Sequence, residues 1–258
     1  MKRAIASLIV ACGLLNVGIC ADSGRFTIYN NTQYTNIANS DLPLQRSNIV
    51  YQGAFPELLH GKLPNKEKFI DVVSRSVRYP GPIALDFEAI YLRGSEETAK
   101  NHFELMKQLI KWAHQIEPHK KIGFYGFLST LDPHYTSYAK KLAPLIDVYF
   151  PSMYTFNDNR DEWVDRLNHY ILLAKTLGPM KPMYPYIWPQ YHDKSSHAGE
   201  YIGAKFWAFQ LDQMRRKTSG AVIWSKKISS NNKSWVIETN SFIHRANGSR
   251  VSPPKTST

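Results

Sequence analysis

Strands and helices alternate from one end of this chain to the other, and the alternation predicts a parallel α/β domain. The best match is a (β/α) barrel of seven or eight units, TIM-barrel-like and single-domain. Three observations carry this. Short apolar runs of strand length are each followed by a stretch with helical period. No internal repeat or linker divides the 258 residues, a length that one barrel fills. No Gly-rich phosphate loop follows the first strand, which disfavours a doubly wound open sheet.

Taken in order, Phe26-Thr27-Ile28-Tyr29 reads as the first strand. The segment from Asn30 to Asn48 is polar and rich in Asn and Thr, with no helical period. A loop of that length inside a compact domain is uncommon and often functional. Ile49 to Gln52 is the second strand. Asn65 can cap a helix carrying Phe69, Val72, Val73 and Val77. Gly81-Pro82 then opens the third strand, Ile83-Ala84-Leu85-Asp86-Phe87-Glu88. Ser95 caps the next helix, with Glu96 and Glu97 in its first turn and apolar residues in period up to Ile116. Ile122 to Tyr125 is a strand, and Asp132-Pro133 opens a short helix ending near Pro144. Val148-Tyr149-Phe150 is a fifth strand, followed by a helix with Val164, Leu167, Ile171 and Ala174 on one face. Pro182 to Tyr186 is the sixth strand, a helix follows over about 199–216, and Ala221 to Trp224 is the seventh strand. A last helix covers about 234–244.

The ends differ from this pattern. Lys2 and Arg3 precede an apolar stretch from Ala4 to Ile19, and Ala21 offers a small residue for cleavage, so 1–21 reads as a secretory signal. Cys12, in Ile9-Val10-Ala11-Cys12, also resembles a bacterial lipidation box. The domain is then 22–246, exported to the cell exterior or periplasm, with a polar, disordered tail over 247–258. No later segment is long and apolar enough to span a membrane. Both cysteines, Cys12 and Cys20, fall in the signal, so the mature chain expects no disulfide and no thiol chemistry. Asn30-Asn31-Thr32, Asn232-Lys233-Ser234 and Asn247-Gly248-Ser249 read as glycosylation acceptors if the host is eukaryotic.

The 32 Lys and Arg outweigh 21 Asp and Glu, giving +11; removing Lys2 and Arg3 lowers this by two, to +9. No basic helix or nucleic-acid motif accompanies the excess. An acidic polysaccharide is therefore the functional reading of the charge, and scattered solvated surface the plain one. Arg93, Lys226 and Lys227 follow strands and are the basic residues closest to the expected barrel mouth. The nine histidines include no His-Glu-x-x-His or other compact ligand spacing, and no Gly-x-Ser-x-Gly elbow occurs. No metal or cofactor is expected, and nothing signals an obligate oligomer, so a monomer is expected.

The chemistry points to the third strand. On a strand, residues i and i+2 share a face, so Asp86 and Glu88 point together while Phe87 points into packing. Two carboxylates that close favour keeping one proton between them near neutral pH, which is what a general acid requires. Active-site groups of a barrel gather at the C-terminal ends of its strands. There stand Asp86 and Glu88, then Tyr154, Tyr186 in the run Tyr184-Pro185-Tyr186-Ile187-Trp188-Pro189, and Trp224. Each ring alone is more simply a packing residue. Together they describe two carboxylates ringed by aromatics, a composition suited to sugar faces.

The order Asp-aromatic-Glu after the third strand, Phe150-Pro151-Ser152-Met153-Tyr154 after the fifth, Pro182-Met183-Tyr184-Pro185-Tyr186 at the sixth and Ser219-Gly220-Ala221-Val222-Ile223-Trp224 at the seventh resembles the hyaluronidases, glycoside hydrolase family 56. The likeness runs from the second strand to the seventh. It implies a distorted (β/α) barrel that hydrolyses β-linked N-acetylhexosaminides with retention. It further implies Glu88 as proton donor, Asp86 as the group that orients the substrate acetamido, Tyr154 and Tyr186 in the same subsite and Trp224 as its platform. Glu88, Asp86 and Tyr154 are thus the catalytic candidates; Tyr186, Trp224, Tyr91, Trp188 and Arg93 are the substrate-binding ones. The chain departs from the family in its Ala89-Ile90-Tyr91-Leu92-Arg93 segment and in lacking cysteine after the signal. A retaining glycosidase normally needs a second carboxylate as nucleophile. None is apparent at another strand end, which suits attack by the substrate's own acetamido oxygen. A muramidase-like peptidoglycan hydrolase and a non-catalytic carbohydrate-binding barrel remain as alternatives.

Overall fold

The computed structural model describes residues 26–248; the signal over 1–21 and the tail beyond 248 lie outside the described residues. Six strands are present: β1 (Thr27–Asn31), β2 (Asn48–Tyr51), β3 (Ile83–Asp86), β4 (Ile122–Phe124), β5 (Tyr186–Ile187) and β6 (Gly220–Trp224). They alternate with α1 (Lys66–Ser76), α2 (Glu96–Ile116), α3 (Thr136–Leu142), α4 (Arg160–Leu177), α5 (Ala204–Lys217) and α6 (Ser234–Gly248). All ladders are parallel, as the alternation requires. The last helix continues through Asn247 and Gly248, past the expected start of the tail.

The local signals act as the side chains demand. Asn65 and Ser95 accept hydrogen bonds from the amides of Lys68 and Thr98, capping α1 and α2. Asn159 caps α4 by accepting from Asp161 and Glu162. Asp132 caps a 3-10 turn over Pro133–Tyr135, which leads into α3. The helix expected from residue 199 starts only at Ala204, because 199–203 remain extended or in turns. Each helix packs on the next, from α1 against α2 through to α5 against α6.

The expected closed barrel of seven or eight strands is not formed. The strands fall into two three-stranded sheets, β1-β6-β5 and β2-β3-β4. On one side the sheets are joined by the segment 147–153, which contains the expected fifth strand Val148-Tyr149-Phe150. It hydrogen-bonds both ways, from the Gly126 amide to the Phe150 carbonyl at 2.9 Å and from the Tyr186 amide to the Pro151 carbonyl at 2.9 Å. It forms isolated bridges and no ladder. Pro151, Pro182 and Pro185 supply no amide hydrogen, and this shortens both that segment and the sixth strand, which is reduced to Tyr186–Ile187.

On the other side β1 and β2 do not pair. The Asn30 amide reaches the Gln45 carbonyl at 2.8 Å, and beyond that side chains span the seam. Asn31 Nδ2 donates to the Ser47 carbonyl at 3.1 Å, and the Ser47 amide donates to Asn31 Oδ1 at 2.9 Å. Arg46 donates to the carbonyls of Asn30 and Thr32. The polar connection from β1 to β2 contains no helix, so it supplies none to cover this seam from outside. Asn30 itself is buried at 7 % exposure and its Oδ1 accepts from Thr32, so this sequon cannot carry a glycan in the folded chain.

The pleat divides the core. Ile83, Leu85 and Phe87 belong to the large cluster shared with the helices, whereas Ala84, Tyr125, Val148, Phe150 and Val222 form a smaller cluster on the opposite face. That inner face is where the polar ends of the strands emerge.

Candidate active site

Asp86 is the last residue of β3 and lies in register with Tyr51 of β2. Glu88 is not on the strand, as expected, but opens a 3-10 turn over Glu88–Ile90. The shared orientation is kept by the residue between them. Phe87, 2 % exposed, packs against Phe55, Phe69 and Phe124 with centroids 5.7, 6.5 and 6.2 Å away. With Phe87 fixed outward, its neighbours on either side face inward. Gln52 steadies the turn by accepting from the Ala89 amide at 2.6 Å.

The two carboxylates differ in surroundings. Asp86 Oδ1 is buried and has no hydrogen-bond partner among the described residues. Burial, and then the Glu88 charge, push the Asp86 carboxyl up to about 7. Glu88 is exposed. Of the two, Asp86 is the group whose surroundings favour the protonated form.

Rings enclose the pair. Tyr125 lies 5.0 Å from Tyr186 and 6.4 Å from Tyr154, centroid to centroid. Trp188 and Trp224 stand 6.0 and 5.8 Å from Tyr154 and 5.6 Å from each other. Burial raises the phenols of Tyr125, Tyr154 and Tyr186 above their ordinary range, so all three keep their protons at neutral pH and can donate. The Tyr186 hydroxyl is buried and approaches Ser47 without the geometry of a hydrogen bond. The Tyr154 backbone is held by Arg166, which donates to its carbonyl at 2.6 Å. Trp224 Nε1 points to the Tyr51 hydroxyl at 3.4 Å, which also accepts from Gln33 at 3.2 Å.

Between these groups lies a cavity of about 190 Å³. It is smaller than the roughly 300 Å³ at which drug-sized pockets begin, a space for one sugar ring and not for a chain. Asp86 and Glu88 line it, with Tyr125, Tyr154, Tyr186, Trp188 and Trp224. Two candidates lie elsewhere. Tyr91 is buried and does not line the cavity, although burial and then the Glu88 charge raise its phenol pKa; a Cβ at Gly126, which has φ +75°, would stand 2.7 Å from its hydroxyl oxygen. Arg93 is exposed and its guanidinium covers the Tyr91 ring at 5.1 Å, outside the cavity.

Three further residues enter the wall: His192, Asp193 and Lys226. Lys226 Nζ is paired with the Asp193 carboxylate and sits 5.3 Å from the Trp188 ring centre, so its charge is already answered. His192 stacks on Tyr154 at 5.9 Å, and burial lowers its pKa. Its Nδ1 accepts from the Lys194 amide at 3.1 Å, which leaves the proton on Nε2. His192 and Asp193 come from the connection after β5, where polar loop composition gives no hint of a site. Lys226 was expected at the mouth, but not in an ion pair.

No protein-family model matches the chain, and no curated protein sequence matches it. Among solved structures it is similar to bee venom hyaluronidase, with a TM-score of 0.60 at 17 % identity, over 87 % of this chain and 99 % of that one. The bee venom hyaluronidase complex with a hyaluronic acid tetramer gives 0.57 at 15 %, over 86 % and 96 %. Likeness at these identities is a likeness of fold.

Proposed function

We propose that the protein is a glycoside hydrolase that cleaves β-linked N-acetylhexosaminide bonds in an acidic polysaccharide such as hyaluronan or chondroitin. The observation that carries this reading is the unequal pair, Asp86 with a buried Oδ1 and a pKa raised to about 7 beside the exposed Glu88, both lining one ring-lined cavity. The fold shared with bee venom hyaluronidase supports it. The family order of motifs gives the roles.

A sugar ring that fills the cavity excludes water from Glu88 and brings its acetamido N–H to Asp86. Desolvation favours the protonated form of Glu88, and an N–H donor favours ionised Asp86. The shared proton thus passes from Asp86 to Glu88 as the substrate binds. Glu88 gives it to the glycosidic oxygen while the acetamido oxygen attacks the anomeric carbon and the glycosidic bond breaks. Ionised Asp86 stabilises the positive charge on the resulting oxazolinium ring. Glu88, now a carboxylate, takes a proton from water, whose oxygen opens the ring with net retention. Tyr154 can donate to the sugar and the half-buried Trp224 offers it a face, while the buried Tyr186 and Trp188 complete the wall.

A second reading has one observation behind it. Asp193 lines the same cavity, and a carboxylate there could act as a protein nucleophile once freed from Lys226. We also read the protein as an exported monomer that works without cofactor or nucleic acid. Digesting hyaluronan, chondroitin, chitin and peptidoglycan with the wild type and with Glu88→Gln tests the reaction class. Release of reducing N-acetylhexosamine ends by the wild type alone is the expected result. Inactivity of the wild type on all four would leave a carbohydrate-binding barrel.

A further inference from the structure

A second, larger cleft lies away from the carboxylate pair. It has a volume of about 650 Å³ and follows the β1–β2 seam down the outside of the domain. Its origin is the missing helix: the connection from β1 to β2 has no apolar period, so no helix covers the seam, and the side chains of α1 and the loop after it form the far wall.

The lining is basic. Arg46, Arg75 and Arg78 contribute guanidinium groups, and no Asp or Glu lines the cleft. Arg75 is paired with Asp71 on its own helix, and both are exposed, so the pair is weak. Arg78 uses Nε on the Arg75 carbonyl at 2.9 Å, and its two terminal nitrogens have no partner among the described residues. Arg46 keeps its charge while its bonds go to neutral carbonyls. Two exposed rings accompany them, Tyr51 at 42 % and Tyr79 at 36 % exposure. Guanidinium forks match carboxylate or sulfate, and flat rings match sugar faces.

The cleft and the reaction cavity share no lining residue, but they approach each other at one contact. Tyr51 lines the cleft, and the Tyr51 hydroxyl is the contact of Trp224 Nε1. The cavity at the carboxylates is small, about 190 Å³, so in the proposed reaction the rest of a polymer lies along the surface. The Tyr51–Trp224 contact is the divide between the two spaces.

We propose that this seam is a second binding groove that holds carboxylate- or sulfate-bearing saccharide units of the chain being cut. The proposal rests on the hydrolase reading for the identity of the chain, but not for the existence of the groove. It moves the source of polyanion attraction from Arg93 and Lys226 to Arg75 and Arg78.

The test compares the wild type with Arg75→Ala/Arg78→Ala in the full chain. The probes are a long hyaluronan fragment, a hyaluronan tetrasaccharide, a neutral chitin oligosaccharide of matched length and a single-stranded oligonucleotide. Both arginines are exposed, and Arg78→Glu alone serves as a second variant should the double one be unstable. At low salt the long hyaluronan fragment should bind roughly tenfold more weakly to either variant, as expected for a lost charge-assisted contact. Binding of the tetrasaccharide and of chitin should not change. Equal affinity of wild type and variants for the long fragment would overturn the groove. Tighter, arginine-dependent binding of the oligonucleotide would overturn its assignment to saccharide. If the wild type cuts no polysaccharide and the arginine dependence persists, the hydrolase reading falls and the groove stands.

Discussion

The carboxamide of Asn31 meets the backbone of Ser47 twice, donating at 3.1 Å and accepting at 2.9 Å, and so replaces a rung of the ladder that β1 and β2 do not form. Both residues are buried, so neither bond can be exchanged for water without opening the seam. Asn31→Ala should therefore cost about 1–3 kcal/mol, the penalty for stranding a buried amide and carbonyl. Urea unfolding of the variant measures it. A loss below a few tenths would mean that Arg46 and the Asn30–Gln45 bond hold the seam unaided.

Glu88→Gln removes the transferable proton and keeps the shape. Glu88 accepts no hydrogen bond from the described residues, so the fold should not notice. Turnover of hyaluronan should fall about a hundredfold or more while its binding is retained. Near-normal turnover would remove Glu88 from the role of acid.

In the proposed reaction Asp86 links turnover, and with it stability, to pH. Its folded pKa, about 7, lies above the ordinary carboxyl value of 3.8. Between those limits the folded state binds more protons than the unfolded one, so stability from this group is full below about pH 4 and lost as pH rises through 7. Asp86→Asn should then stabilise the protein at pH 8, on the order of 2–4 kcal/mol, and have little effect at pH 4. Thermal melts at the two pH values check the sign. The same variant should be slow in the chemical step. The wild-type kcat/KM should decline above about pH 7, as the pair loses its shared proton.

The two routes for the nucleophile separate cleanly. Attack by the acetamido oxygen predicts inhibition by a thiazoline analogue of the oxazolinium ring, and Asp193→Asn should retain most activity. A glycosyl adduct found on Asp193 by mass spectrometry would establish the covalent route instead.

Much of the fold was legible because its signals are local. Asn65 and Ser95 announce helices by their own side chains, and the α4 face of Leu167, Ile171 and Ala174 is buried as its period demands. The closure was not legible, because it depends on which backbone amides meet. Pro151, Pro182 and Pro185 stand in plain view, yet their effect is felt only when the segments lie side by side. The same holds at the site. Asp86, Glu88, Tyr154, Tyr186, Trp188 and Trp224 were visible from strand ends and now share one cavity, whereas Tyr91 and Arg93 follow the same strand but do not line that cavity. Asp193 reaches the cavity on a loop whose path no short-range pattern records, and its tie to Lys226 joins residues 33 positions apart.

Phe87 sets the pair's outward and inward faces, and the end of β3 sets how each is held. Asp86 is locked into the β2–β3 ladder, while Glu88, past the last rung, stands in a turn held by the Ala89 amide on Gln52, by the Ile90 amide on the Phe87 carbonyl and by the buried Phe87 and Ile90 on either side. Strand pairing thus holds the backbone of one carboxylate and a short, anchored turn that of the other. If Glu88 is the proton donor proposed above, the length of that turn fixes where the proton is delivered relative to the sugar, and lengthening it would change which bonds are cut before it changed how tightly the sugar is held.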